Sequence, residues 1–192
     1  GQEFDVISSQ MAIHYLFGND NSINNLINII KTYLKKGGYI IFTLLDGESV
    51  DKILDNKSSY ASFYTDEDGK KMKLFEIKKK YDKLKNKSGI AVDIYMSWFS
   101  QEDRFIQEYL ITKQFMIETM KKAGCRLVDT DLFVNTYNIN KEWFMDVIEF
   151  EENPKNKKFY KNAAEFYKNK KIGSEQSRIW SRLFRYYVFT KI

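Results

Sequence analysis

The feature that most constrains this chain is a strand–helix–strand unit near its start. Phe4 to Ser8 is an apolar-rich run of strand length. Ile23, Leu26, Ile27, Ile30 and Leu34 then recur at spacings of three and four, which predicts an amphipathic helix over Ser22–Leu34 with Asp20 and Ser22 as caps. Lys35-Lys36-Gly37-Gly38 follows, supplying basic residues for the negative end of the helix dipole and glycine for a left-handed cap. Tyr39–Leu45 is continuously apolar, the pattern of a strand buried on both faces of a parallel sheet. Two strands joined by a helix in this way form a βαβ unit, which predicts an α/β fold.

Later segments read less uniformly. A second helix is expected over Glu48–Leu54, after Asp46-Gly47. Phe63–Asp82 and Gly89–Ile111 hold alternating apolar and polar stretches, such as Ile90–Tyr95, separated by charged turns of which Lys78–Lys87 is the most basic. Phe115, Met116, Thr119, Met120 and Ala123 share one face of a helix over Lys113–Ala123, closed by Gly124. Arg126–Phe133 and Tyr186–Thr190 read as strands. Asn135–Lys171 reads as polar, with one helix around Phe159–Tyr167. Internal repeats and domain linkers are not evident, and 192 residues suit a single domain.

Composition narrows the chemistry. Hydrophobic residues make up 43% and aromatics 16%, enough for a packed core. The 31 basic against 26 acidic side chains leave a formal charge of +5, which permits contact with phosphates without demanding it. Cys125 is the sole cysteine, so a disulfide framework is excluded and a reducing compartment is expected. With no apolar run of membrane-spanning length and no signal peptide at its start, the sequence predicts a soluble intracellular protein without a membrane partner. It contains no P-loop, no Gly-x-Ser-x-Gly elbow and no His–Cys set able to hold a metal. Cys125, directly after a helix-ending glycine, reads as a small buried residue.

The first strand runs straight into a polar and aromatic cluster: Ser8, Ser9, Gln10, then His14, Tyr15 and Phe17. A lone histidine in a half-apolar stretch is most often a satisfied structural group. This one lies just beyond the carboxyl end of a parallel strand, where open α/β sheets bind ligands. From the residues alone, Gln10 reads as a polar residue ending a strand and Glu108 as an outward-facing charge on one.

FDVISSQMAIHYLF, Phe4–Phe17, resembles a segment of the messenger-RNA cap guanine-N7 methyltransferases: a strand followed by Gln-Phe-x-x-His-Tyr. KKGGYIIFTLLDGESV resembles that family's next strand and its following turn. FIQEYLITKQFMIETMKKAGCRLVDTDLF is similar to its Glu-Tyr-Leu strand, helix and closing strand, and RYYVFTKI to its terminal strand. The likeness spans essentially the whole chain and is nearest to capping enzymes of large DNA viruses.

The resemblance implies methyl transfer from S-adenosylmethionine to N7 of the cap guanine, without a metal. That nitrogen carries a free lone pair at neutral pH, so orientation and a suitable field are needed rather than an acid–base residue. By resemblance, Glu108 accepts from the two donors on the Watson–Crick edge of guanine, His14 hydrogen-bonds the base, and Tyr15 packs near the methyl group and the base. Gln10, Met11 and Tyr15 line the methyl-donor side, and Phe184 flanks the cap. Met11 stands where the family has Phe, and Phe184 where it usually has Tyr.

The family's earlier elements have no counterpart here: a strand, a Gly-rich turn opening a helix, and an acidic residue for the ribose. Residues 1–192 are therefore expected to be the C-terminal portion of one methyltransferase domain: the second half of a class I, Rossmann-like sheet with an inserted antiparallel β region and a C-terminal strand. Such a half would expose a long sheet edge and open faces. The expected partners are the capped 5′ end of mRNA, the N-terminal half of the domain or a larger capping polypeptide, and a stimulatory subunit. The expected place of action is the cytoplasm (viral factory or virion) for a viral protein and the nucleus for a cellular one. A second reading stays open, a non-catalytic methyltransferase-like subunit that stimulates capping or binds RNA.

Overall fold

A computed structural model describes residues 3–101, 104–168 and 172–192. Two four-stranded sheets divide the chain. In the first, β1 (Phe4–Gln10) pairs in parallel with β2 (Leu34–Leu45), which is followed by β8 (Phe184–Lys191) and β7 (Cys125–Leu132), both antiparallel to their neighbours. The second is an antiparallel sheet of β3 (Ser59–Thr65), β4 (Lys71–Lys79), β5 (Ala91–Met96) and β6 (Ile106–Tyr109), in that order. The expected α/β arrangement is present: a mixed sheet, an antiparallel insertion, and a closing C-terminal strand.

The βαβ unit forms as its periodicity predicts, with small corrections at the boundaries. Helix α1 runs Asp20–Tyr33, and Asn19, rather than Asp20 or Ser22, caps it by accepting from the Ser22 amide at 3.0 Å. The helix stops before the glycines, which do not form its cap as expected. Gly37 and Gly38 lie inside β2, where the register with β1 shifts. Gly37 has φ +77°, and a side chain on Gly38 would come within 2.9 Å of the Asp5 and Lys35 carbonyl oxygens. The pair is a bulge device in a long strand.

Helices α1 and α3 (Lys113–Lys122) cover one face of the first sheet. Ile23, Leu26, Ile27 and Ile30 pack with Ile40, Phe42, Tyr187 and Phe189, joined by Met116 and Met120. Cys125 is buried in this core, as expected. The other face is open: Val6, Tyr39 and Val128 are 51%, 47% and 48% exposed. Beneath the antiparallel sheet, α2 (Gly47–Leu54) and α6 (Ser174–Ser181) form a second core, in which Val50, Leu54, Leu183 and Trp180 meet Phe75, Ile77, Val92 and Ile94.

Residues 135–168 are more helical than their polarity implies; the remainder of the expected polar segment, 169–171, lies outside the described residues. Helix α4 spans Phe133–Phe150 and α5 spans Pro154–Tyr167. Ile139, Trp143 and Phe150 on α4 are exposed, so no clean apolar stripe marks the helix in the sequence. No helix among the described residues is long and apolar enough to cross a membrane.

The two sheets are joined at Asp46. Its carboxylate accepts from the Ser49 amide at 3.0 Å, capping α2, and from Arg185 Nε of β8 at 2.5 Å. Its backbone N–H donates to the Leu183 carbonyl, and Gly47 N–H donates to that of Ile111. Asp46 is 1% exposed, so removing its carboxylate strands a largely buried guanidinium. Asp46→Ala is expected to lower unfolding free energy by about 3 kcal/mol in urea titration. An exposed substitution such as Lys83→Ala is expected to change it by less than about 0.5 kcal/mol.

Candidate functional site

At the carboxyl end of β1 the backbone turns through Met11, whose φ of +53° is sparsely populated for a residue with a side chain. The turn is fixed because the Met11 amide donates to both the Thr43 carbonyl (2.8 Å) and Thr43 Oγ1 (3.1 Å) on β2. A 3-10 turn, Ile13–Gly18, follows and buries Ile13, His14 and Phe17. Tyr15 is left 47% exposed with its ring 4.2 Å from that of His14.

Glu108 reaches this cluster from the other sheet. It lies on β6 opposite Val92, so the alternation of the strand turns it inward, and it is 8% exposed. The outward-facing reading of this charge is therefore corrected. His14 Nε2 lies 3.3 Å from Glu108 Oε2, and the Tyr15 hydroxyl donates to Oε1 at a long 3.4 Å. The His14 contact does not have hydrogen-bond geometry. Neither ring nitrogen, both buried, has a hydrogen-bond partner among the described residues. Such groups are uncommon in folded proteins, and here they flank a carboxyl inside a cleft.

Burial sets the charge state. It pushes the Glu108 carboxyl up to about 7, with the Tyr15 hydrogen bond acting weakly the other way, and pushes His14 down to about 4. Between those values the pair holds one proton, carried on the carboxyl as burial dictates. Burial, then the charge and hydrogen bond of Glu108, raise the Tyr15 phenol above its ordinary value.

Met11, His14, Tyr15, Glu108 and Phe184 all line one cleft of about 380 Å³, within the usual size of small-molecule sites, roughly 300–1,000 Å³. Gln10 stands apart: its amide donates to Ser8 Oγ at 2.8 Å and its carbonyl accepts from Thr43 Oγ1 at 2.7 Å on the exposed strand end. Phe184 is nearly buried against Trp180 and Phe133, so it forms the wall rather than a free flap.

Sequence reasoning missed the rest of the wall. Met96, Trp98 and Phe99 come from the end of β5 and the loop after it, and Trp180 from α6. Trp98 and Trp180 meet edge to face at 5.7 Å. The Trp98-Phe99 pair is visible in the sequence, but nothing there brings it to residues more than 80 positions away on either side. The cleft offers a poised carboxyl flanked by a phenol and an imidazole, between aromatic walls. Chemically it can grip a planar heteroaromatic ring whose edge presents two N–H donors.

No protein-family model matches the chain. Among curated proteins it is 35% identical to a probable mRNA-capping enzyme of Acanthamoeba polyphaga mimivirus, covering 100% of this chain and 17% of that protein. It is 27% identical to the mRNA-capping enzyme of African swine fever virus (strain Badajoz 1971 Vero-adapted), covering 96% of this chain and 19% of that protein. The chain thus spans less than a fifth of the length of these relatives. Two solved structures resemble it with a TM-score of 0.47 each. A putative S-adenosylmethionine-dependent methyltransferase from Listeria monocytogenes is 15% identical, with 100% of this chain and 62% of that one covered. The CcbJ methyltransferase from Streptomyces caelestis is 11% identical, with 99% and 58% covered.

The pair makes stability pH-dependent. Glu108 ionises near 4.5 unfolded and about 7 folded, so the folded state binds more protons in that window and stability falls as pH rises through it. His14 runs the other way, between about 4 folded and 6.5 unfolded, and opposes that slope up to pH 6.5. Glu108→Gln removes the falling arm. Relative to the parent it is expected to gain about 2–3 kcal/mol between pH 5 and pH 8, followed by urea unfolding. A difference constant across pH would show that Glu108 ionises freely.

Proposed function

We propose that this chain, a relative of the mRNA-capping enzymes of large DNA viruses, carries the cap-guanine side of a guanine-N7 methyltransferase. The observation that carries the reading is the buried Glu108 carboxyl held between His14 and Tyr15 in an aromatic cleft. Guanine presents N1–H and the N2 amino group side by side, and one carboxylate accepts from both. The base faces would lie against Tyr15 and the Trp98 wall. His14, with its unpartnered nitrogens, would bond a further edge atom of the base. N7 needs no deprotonation before it attacks, so these residues act by holding the base in line and excluding water.

The carboxyl end of β1 fits one side of the methyl donor. Gln10 and Ser8 give polar surface there, while Met11 and Tyr15 give exposed apolar surface beside the cleft. S-adenosylmethionine, when bound, supplies the methyl group and leaves as the thioether. On this reading Gln10 and Met11 border the donor and Tyr15 separates it from the base. The strained backbone at Met11, clamped by Thr43, keeps that border fixed.

The remaining donor-binding elements are proposed to come from residues other than these, joined at the free edge of β1 and over the open face around Val6 and Tyr39. A parallel strand pair is ordinarily covered on both faces, and this one is covered on one. The 192-residue chain alone is therefore expected to show no S-adenosylmethionine binding in the micromolar range by calorimetry; a micromolar Kd would overturn this part of the reading.

In the intact gene product, Glu108→Ala is expected to lower kcat/KM for N7 methylation of a cap dinucleotide by about two orders of magnitude or more. Product identity is read by chromatography against N7- and 2′-O-methylated standards. Full activity in that variant would favour the alternative, a non-catalytic subunit that binds RNA or stimulates a partner.

A further inference from the structure

The outer face of the antiparallel sheet, opposite the cleft, alternates rings and ammonium groups across three strands. Lys71 Nζ sits 4.5 Å above the Phe63 ring, Lys73 Nζ 5.5 Å above Tyr95, and Lys78 Nζ 3.8 Å above Phe105. The Tyr95 and Phe105 rings are 6.0 Å apart. All six residues are exposed or half-buried. A surface groove on this face is lined by Phe63, Lys70, Lys71, Lys73, Tyr95 and Ser100, among others. Ser100 Oγ is buried and has no hydrogen-bond partner among the described residues.

Groove and cleft share one loop. Trp98 and Phe99 line the cleft, while Ser97 and Ser100, their immediate neighbours, line the groove. Tyr95 and Phe105 flank that loop on the outer face. A chain leaving the cleft over the loop would therefore arrive on rings and lysines.

We propose that this outer face binds the single-stranded RNA that follows the cap, a role that rests on the cleft being the cap-guanine site. Aromatic rings on an open sheet stack bases without demanding sequence, and lysines lying on those rings can swing to the phosphates. Among the described residues of the face, Glu76 pairs with Lys73 at 2.6 Å and Asp93 with Lys80 at 2.9 Å. The acidic turn Asp66–Asp68 sits at the tip of the β3–β4 hairpin. Its charge ends the path at that tip, so the strand lies between Lys71 and Lys78, past Tyr95 and Phe105.

The test measures affinity of the full 192-residue chain for an uncapped single-stranded RNA of about 12 nucleotides, by fluorescence anisotropy over a salt series. Lys71→Ala with Lys78→Ala is expected to weaken binding about tenfold at about 0.1 M salt. It should also reduce the slope of log Kd against log salt by about 1.4, the release of two phosphate contacts. Phe105→Ala should weaken binding with the slope unchanged. Lys71→Arg with Lys78→Arg, which keeps both charges, should retain affinity and so separates contact from misfolding. In the intact gene product, the double alanine variant should raise KM for capped RNA and leave methylation of a cap dinucleotide unaltered. The proposal is overturned if the wild-type chain binds no RNA, if affinity and slope survive the alanine substitutions, or if the dinucleotide suffers equally. Loss of RNA affinity as expected, together with a wild-type protein that never methylates the dinucleotide, would sink the reading of the cleft and keep this surface.

Discussion

The buried ion pair between Asp46 and Arg185 is the joint on which the rest of the geometry depends. Asp46 closes β2, caps α2 and grips β8, and its neighbour Gly47 lies against the backbone that leaves β6 at Ile111. A side chain on Gly47 would come within 2.8 Å of the Ile111 carbonyl oxygen, so the two sheets meet here at backbone distance. The cleft hangs from the same joint. Phe184 adjoins Arg185, Glu108 lies three residues before Ile111, and Thr43, which clamps Met11, lies three before Asp46. Small rotations at the joint would therefore displace every wall of the cleft. A buried charge pair is a poor source of net stability but a strict geometric constraint, because misalignment leaves each charge without compensation.

The cleft itself is held in an electrostatically costly state. Glu108 and His14 are both buried, neither is fully hydrogen-bonded, and together they carry one proton between about pH 4 and pH 7. A folded core without ligand would be better served by apolar side chains of the same volume. An edge with two N–H donors would supply what the carboxyl lacks and draw it into the ionised form, releasing its proton to water. The arrangement thus makes sense as a site whose polar groups are completed by the molecule it binds.

How much of this was legible in the sequence depends on whether the signal was local. Helices α1 and α3 carry complete periodic patterns, because each packs one face against a single core, and strands β2 and β8 carry dense apolar runs, because they contribute to both cores. Gly37-Gly38 was misread because a left-handed helix cap and a strand bulge call for the same residue. Helix α4 was missed since Ile139, Trp143 and Phe150 point outward and break its amphipathic pattern. In the site, His14 and Tyr15 were marked by their place after a parallel strand, but Glu108 was inward only by virtue of a strand register that no local pattern fixes. Trp98 and Trp180 were beyond reach, since their contact exists only once α6 packs under the antiparallel sheet.

The cleft is built across a seam, and that division has a consequence for what each part can vary. Met11, His14 and Tyr15 belong to the parallel strand unit, whose packing with α1 leaves little freedom. Glu108, Met96, Trp98 and Phe99 belong to the antiparallel insertion, whose loop carries two half- or fully exposed aromatics. On the proposed reading, the β1 end borders the methyl donor and the insertion grips the acceptor base. Changes in the β5–β6 loop would then alter how the faces of the base are packed while leaving the donor side in place. The joint at Asp46 is what makes that separation workable, because it fixes the two halves to one another while allowing their ligand-facing surfaces to be independent.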